Sequence, residues 1–225
     1  MALILAIETT TKNCSVAIFD NSKLITCVEE NSSAYLHAEK LTLFIEKIIK
    51  DSNLSLKHID GIALSKGPGS YTGLRIGTST AKGLCYALDI PLMAISTLKV
   101  MAFAMSNIED YPLYCPMIDA RRMEVFASIY DKNNNEVRGI RADVVDDYTY
   151  KDFLKDKILF FGDGALKCKP IINNSNAYFI DGVSPSAKDM GMLAIDKFVN
   201  KDFEDVAYFE PYYLKDFIAG VKKKY

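Results

Sequence analysis

The sequence predicts a mixed α/β protein built from two copies of one hairpin-led lobe. Three observations carry this. Short apolar runs with strand character come first and then alternate with runs of helical period. A Gly/Pro-rich turn between a strand and a long helix sits in the first half. A pair of acidic residues at a fixed interval recurs in the second half, in the same hairpin context.

Leu3–Ile7 and Cys14–Phe19 flank the polar Glu8-Thr9-Thr10-Thr11, the pattern of two strands around a tight turn. Asp20-Asn21-Ser22-Lys23 marks a second turn and Leu24–Glu29 a third strand. From about Ser33 to Ser52 the period becomes helical, with the clearest helix over Tyr35–Lys50. Its main stripe is Ala38, Leu41, Phe44, Ile45, Ile48 and Ile49, while Leu36 and Leu43 lie on roughly the opposite side. A helix apolar on two sides is either sandwiched in its own fold or docked on another chain.

Ile59–Ser65 returns to strand, Lys66–Tyr71 is the Gly/Pro turn, and Thr72–Leu88 is helical. Along that helix Gly73, Gly77 and Ala81, with Thr80 and Leu84, share one side. Each interior glycine costs about 1 kcal/mol relative to Ala, so something must approach the backbone closely: the chain's own sheet or a partner. Pro91–Ser96 is a short strand leading into a helix from Thr97, and Ile158–Phe161 a strand before the Gly162-Asp163-Gly164 turn.

The repeat aligns Glu8…Asp20 with Asp119…Asp131, each followed by a polar turn, Asn21-Ser22-Lys23 or Lys132-Asn133-Asn134-Asn135. A chance match of this length is the alternative. If the repeat is real, the chain divides near Ile108–Tyr111 into lobes 1–109 and 110–225.

Composition narrows the function. With 49% hydrophobic and 25% charged residues over 225 positions, the chain has ordinary globular composition. A net charge of −2 argues against a protein that grips nucleic acid alone, which needs clustered cations. The compact basic cluster Lys222-Lys223-Lys224 reads as a solvated end or an RNA contact. Five scattered cysteines without CxxC spacing indicate reduced thiols rather than a disulfide or zinc framework. The N-terminus lacks a basic region and cleavage signal, and no apolar stretch nears the roughly 20 residues that span a bilayer, so a cytoplasmic location is expected.

Catalytic candidates are few. His37 and His58 stand apart, and no Ser or Cys has a legible His and Asp around it. The turn Glu8-Thr9-Thr10-Thr11-Lys12 could hold a phosphate through its amides and hydroxyls, or be a hairpin whose threonines bond their own backbone. The stretch Gly67-Pro68-Gly69-Ser70 opens a helix but lacks the P-loop's closing Gly-Lys-Ser/Thr. Arg121-Arg122 could meet a phosphate or a partner's carboxylate, or be solvated.

Taken together, ILAIETTTKNCSVAIFD, His37–Leu41, GIALSKGPGSYTGLRIGTSTAKGLCYALDIPL, MIDARRMEVFASIYD, FGDG and PYYL resemble the TsaB/YeaZ family along nearly the whole chain. The resemblance implies the actin/hexokinase-like duplicated fold and paralogy with TsaD, which transfers threonylcarbamoyl to the tRNA adenosine beside the anticodon. TsaD carries an H-x-x-x-H metal pair on the helix matching Tyr35–Lys50. Here that pair is His37 and Leu41, which cannot make the site, and no metal or catalytic residue is expected. The implied role is a scaffold subunit that binds TsaD, is joined by a TsaE-like ATPase, forms a homodimer alone, and meets tRNA only through the complex. The implied partner interface is Leu36, His37, Lys40, Leu43, Gly73, Arg75, Ile76, Gly77, Thr80, Ala81 and Leu84. On this view charge at Leu43 or Gly77 breaks assembly and spares the fold. Glu8, Thr9, Thr10, Lys12 and Asp119 would form a vestigial phosphate site. No cofactor of its own is expected, although ATP or ADP could lodge at the partner interface. The alternatives are an ATP-dependent phosphotransferase using Glu8 and Asp119, and a glycoprotease-like peptidase.

Overall fold

The computed structural model describes residues 2–32, 36–107 and 109–215. Tyr35 at the expected start of the first helix, Ile108 at the expected lobe boundary, and Lys222–Lys224 lie outside the described residues.

The first sheet begins with β1 (Leu3–Glu8), β2 (Asn13–Asp20) and β3 (Lys23–Asn31), an antiparallel meander. Helix α1 (His37–Asp51), β4 (Gly61–Gly67), α2 (Tyr71–Leu88), β5 (Leu92–Ser96) and α3 (Thr97–Ser106) follow. β1 pairs with β4 and β4 with β5 in parallel, giving the order β3-β2-β1-β4-β5. The second half repeats it with β6 (Leu113–Asp119), β7 (Glu124–Asp131), β8 (Glu136–Val144), β9 (Ile158–Phe161), α4 (Ala165–Cys168), β10 (Ala177–Ile180) and α5 (Gly191–Val199). Its sheet runs β8-β7-β6-β9-β10 with the same parallel and antiparallel pairings. In the two hairpins Leu3 faces Asp20 and Leu113 faces Asp131, so the recurring acidic interval reflects a duplicated lobe rather than chance. The copies diverge in their helices: α4 has four residues where α2 has eighteen.

β1 is buried on both faces, which explains its unbroken apolar run. Leu5 and Ile7 face α1 and α2 with Val16, Ile18, Leu41 and Ile48, whereas Ile4 and Ala6 face Val100 and Ala194. Of the expected α1 stripe, Leu41, Phe44, Ile45 and Ile48 are buried, Ile49 is half-buried and Ala38 is exposed. The described cysteines are free thiols, all buried except the half-buried Cys27.

The division at 109/110 follows the sheets but not the packing. α3 turns Val100 to the first sheet, yet its Leu98, Met101, Ala102 and Met105 join Tyr114, Ile118, Leu159 and Phe161 of the second. The segment after α5 and the residues just before it return to the first lobe. Ala187, Met190 and Ala194 enter its core, Glu204 bridges Leu92, and Phe209 packs beside Leu41 and Cys85. Each lobe is completed by a segment from the other half. Among the described residues no helix is long and apolar enough to cross a membrane.

Candidate functional site

The β1–β2 turn is the meeting point of α1, α2 and β4. Glu8 ends β1 fully buried. One carboxylate oxygen accepts the Thr10 amide at 2.6 Å and the Thr10 hydroxyl at 2.5 Å, and the other accepts the Ser65 hydroxyl. Burial pushes its pKa up, against the pull of those hydrogen bonds. Thr9 Oγ1 donates to the Gly73 carbonyl at 2.8 Å, and the Ser70 amide donates to the Thr10 carbonyl at 2.6 Å.

Gly69 of the approach loop and Gly73 and Gly77 of α2 exist for this contact. A Cβ on Gly69 would fall 2.4 Å from the Thr10 carbonyl oxygen, on Gly73 2.0 Å from that of Thr9, and on Gly77 2.3 Å from Thr9 Oγ1. Helix α2 therefore rides directly on the hairpin turn. Two expectations are corrected. Gly73, Gly77 and Ala81 are buried inside the chain and present no surface to a partner, so Gly77→Glu attacks the fold rather than assembly. Glu8, Thr9 and Thr10 are fully buried and their side chains are bonded to one another, to Ser65 and to α2, so these side chains are already taken where a phosphate would need them, although Thr10 still lines the cleft. Of the other two residues in that expected site, Lys12 is exposed and Asp119 is ion-paired with Lys167.

His37 opens α1, buried, with Nε2 2.7 Å from the Thr11 carbonyl oxygen. Burial lowers its pKa, so the ring is neutral, and a proton on Nε2 makes it the donor to Thr11. Leu41, one turn on, lies in the core. Where a second imidazole would complete a pair, this chain has packing. The His37 ring also closes on α2, 3.2 Å from where a Gly73 Cβ would stand. It is a structural residue, not part of the surface. Among the described residues no group of three or more His, Cys, Asp or Glu side chains is placed to hold a metal.

The outward face of α1 and α2 is left to the other residues. Leu43 is 57% exposed. Leu36 is half-buried, as is Lys40, which is ion-paired with Glu30 at 3.3 Å. On α2, Arg75 is exposed with its guanidinium 4.3 Å above the Tyr71 ring, and Ile76, Thr80 and Leu84 are half-buried at the rim of the first core. Two more residues belong to this outer side. Among the described residues a Cβ on Gly83 would meet nothing within 4 Å, and Tyr86 is 87% exposed. A single sequence signals neither, beyond their lying 8 and 11 positions after Arg75 on a helical period.

Between the lobes lies a cleft of about 710 Å³, bounded by Thr11 and Tyr71 on one side and by Arg121, Arg122 and Asp163 on the other. Arg121 and Arg122 form the β6–β7 turn with φ of 71° and 51°, a left-handed pair unusual for side chains of this size. Asp163, from the expected Gly-Asp-Gly turn, accepts the Asp119 amide at 2.8 Å. Its carboxyl is held above the usual range by loss of water, with a smaller push from the Asp119 charge, while the hydrogen bond from the Asp119 amide, Lys12 and Lys167 oppose.

Two lobes of one strand order, with a cleft between them, define the actin/hexokinase-like class. Residues 30–219 match the family model for TsaD, tRNA N6-adenosine threonylcarbamoyltransferase. The TsaB protein of Escherichia coli K12, a tRNA threonylcarbamoyladenosine biosynthesis protein, is 28% identical over 97% of both chains. That of Bacillus subtilis 168 is 30% identical over 76% of this chain and 75% of its own. The solved YeaZ from Pseudomonas aeruginosa has the same fold, with a TM-score of 0.80 and 24% identity over 95% of this chain and all of that one. The chain belongs to the TsaB (YeaZ) family of tRNA threonylcarbamoyladenosine biosynthesis proteins, within the wider TsaD family.

Proposed function

We propose that this chain is a non-catalytic subunit that binds a TsaD-type threonylcarbamoyltransferase through the outer face of α1 and α2, and that the modification of tRNA adenosine depends on this assembly. The observation that carries the reading is Leu43, 57% exposed on a helix whose other apolar side is already buried, beside a helix whose interior Gly83 faces open space. An exposed glycine inside an eighteen-residue helix weakens it, and no contact among the described residues explains it. A partner backbone lying close over Gly83, with Leu43 and Tyr86 at its sides, accounts for both.

The chemistry stays with the partner. Glu8 is buried under its own turn and Asp119 is neutralised by Lys167, so no acidic pair favours a phosphotransferase here. In the proposed assembly a TsaE-like ATPase joins the pair, ATP or ADP sits at the interface, tRNA is met through the complex, and without its partner the chain pairs with itself through the same face. Light scattering after gel filtration tests this, on the chain alone and mixed with the TsaD-type protein of the same organism. A mixed peak at the mass of a one-to-one complex is expected. Two unshifted peaks, with and without nucleotide, refute the reading.

A further inference from the structure

The end of the described chain crosses the cleft. The Tyr212 amide donates to the Lys66 carbonyl at 2.7 Å, and the Tyr212 carbonyl oxygen lies so near Gly67, at φ 110°, that a Cβ there would be 2.8 Å away. One residue on, the Tyr213 ring sits 5.0 Å from the Tyr71 ring at a 41° tilt, and Tyr71 in turn lies under the Arg75 guanidinium. Two residues further, the Lys215 ammonium pairs with Glu124 at the start of β7 in the second lobe, a carboxylate with an 18% exposed side chain. Within four residues the chain thus touches the end of β4, the first turn of α2 and the far wall of the cleft, which these same residues line.

We propose that Tyr212–Lys215 is a releasable clasp: it holds the cleft shut at the α2 end and links Arg75, on the outer face of α2, to the second lobe. The kind of contact supports release. α3 joins the lobes through two buried apolar cores and persists as long as the fold does. The contacts of the clasp among the described residues include a backbone hydrogen bond, a ring pair and a partly exposed ion pair, which are of the kind that open locally without global unfolding. Anything spanning from α2 to the Arg121–Arg122 turn must displace it. The clasp itself does not rest on the partner reading. Only the significance of Arg75 does.

Amide hydrogen exchange at Tyr212, in the full chain without a partner, tests it. Lys215→Glu should speed exchange about fivefold or more, as loss and reversal of a partly exposed ion pair implies. Tyr213→Ala should speed it about two- to tenfold, and Glu124→Lys with Lys215→Glu should restore the original rate. Arg75→Ala should speed it about two- to fivefold through the Tyr71 stack. Unchanged exchange in both Lys215→Glu and Tyr213→Ala overturns the clasp, and an unchanged rate in Arg75→Ala overturns the link to α2. Because no partner is present, a failure to bind a TsaD-type protein leaves these outcomes standing and is told apart from them.

Discussion

Gly→Ala at positions 73 and 83 of α2 should have opposite signs, although both are the same change in the same helix. Replacing an interior helical glycine by alanine gains about 1 kcal/mol from backbone entropy and helix propensity. At Gly83 nothing among the described residues lies within 4 Å of the new Cβ, so the gain stands alone. Stabilisation by about 0.5–1 kcal/mol follows. At Gly73 the Cβ would lie 2.0 Å from the Thr9 carbonyl oxygen, where real contacts do not fall under 3.0 Å, so helix or turn must retreat by about 1 Å. The turn is held on every side, by Glu8, His37 and the Thr9–Gly73 hydrogen bond, and has nowhere to go. Overpacking of about 3 kcal/mol and a lost hydrogen bond of about 1 kcal/mol outweigh the propensity gain. Net destabilisation of about 2–3 kcal/mol is expected. Urea unfolding followed by far-ultraviolet circular dichroism measures both. The account of α2 seated on the hairpin turn is refuted if Gly73→Ala is as stable as the parent, or if Gly83→Ala is the less stable of the two.

Other predictions follow from the same contacts. Arg138 and Asp143 form a buried two-pronged ion pair at 2.7 and 2.6 Å, with the Tyr150 hydroxyl donating at 2.9 Å. Arg138→Met strands the carboxylate and should lower Tm by about 10 °C or more, while Arg138→Met with Asp143→Leu should recover much of the loss. Burial raises Asp189 from 3.8 to about 6, with Glu29 adding and Lys188 opposing. A raised folded pKa means the folded state holds the proton longer, so this stability is full below pH 3.8 and is lost as pH rises through about 6. Asp189→Asn should match the parent in acid and exceed it at pH 7.5 by at most about 3 kcal/mol, read by denaturant titration across that window. Gly83→Leu should leave Tm within a few degrees and weaken binding to a TsaD-type partner tenfold or more, measured by calorimetry. Unaltered affinity would remove Gly83 from the interface.

Much of the fold was legible because its signals are local. The apolar runs of β1, β2 and β4, the period of α1 and the interval from Glu8 to Asp20 each sit within a few residues. What was hidden depended on which neighbour arrives. Thr9 and Thr10 display the same hydroxyls whether or not a phosphate takes them, and only the fold reveals that the Gly73 carbonyl of α2 takes the first and the Glu8 carboxylate the second. Gly73, Gly77 and Gly83 look alike in sequence, yet two face the hairpin turn and one faces open space, because the helix turns them to different sides. The return of Phe209 and Tyr212 to the first lobe spans contacts more than a hundred residues apart, which no local pattern encodes. The exposure of Leu43 was readable, since Leu36 and Leu43 opposite an apolar stripe are visible as a periodicity.

The central claim is that the outer face of α1 and α2 carries this chain's function, and a matched pair of surface variants tests it most directly. Leu43→Glu and Val144→Glu each place a charge at a well-exposed apolar site, 57% and 70% accessible, one on α1 and the other on β8 of the opposite lobe. Both should fold with stability within about 0.5 kcal/mol of the parent. Mixed with a TsaD-type partner and measured by light scattering, Val144→Glu should still give the one-to-one complex and Leu43→Glu should not. A Leu43→Glu protein that assembles as well as the parent would contradict the account.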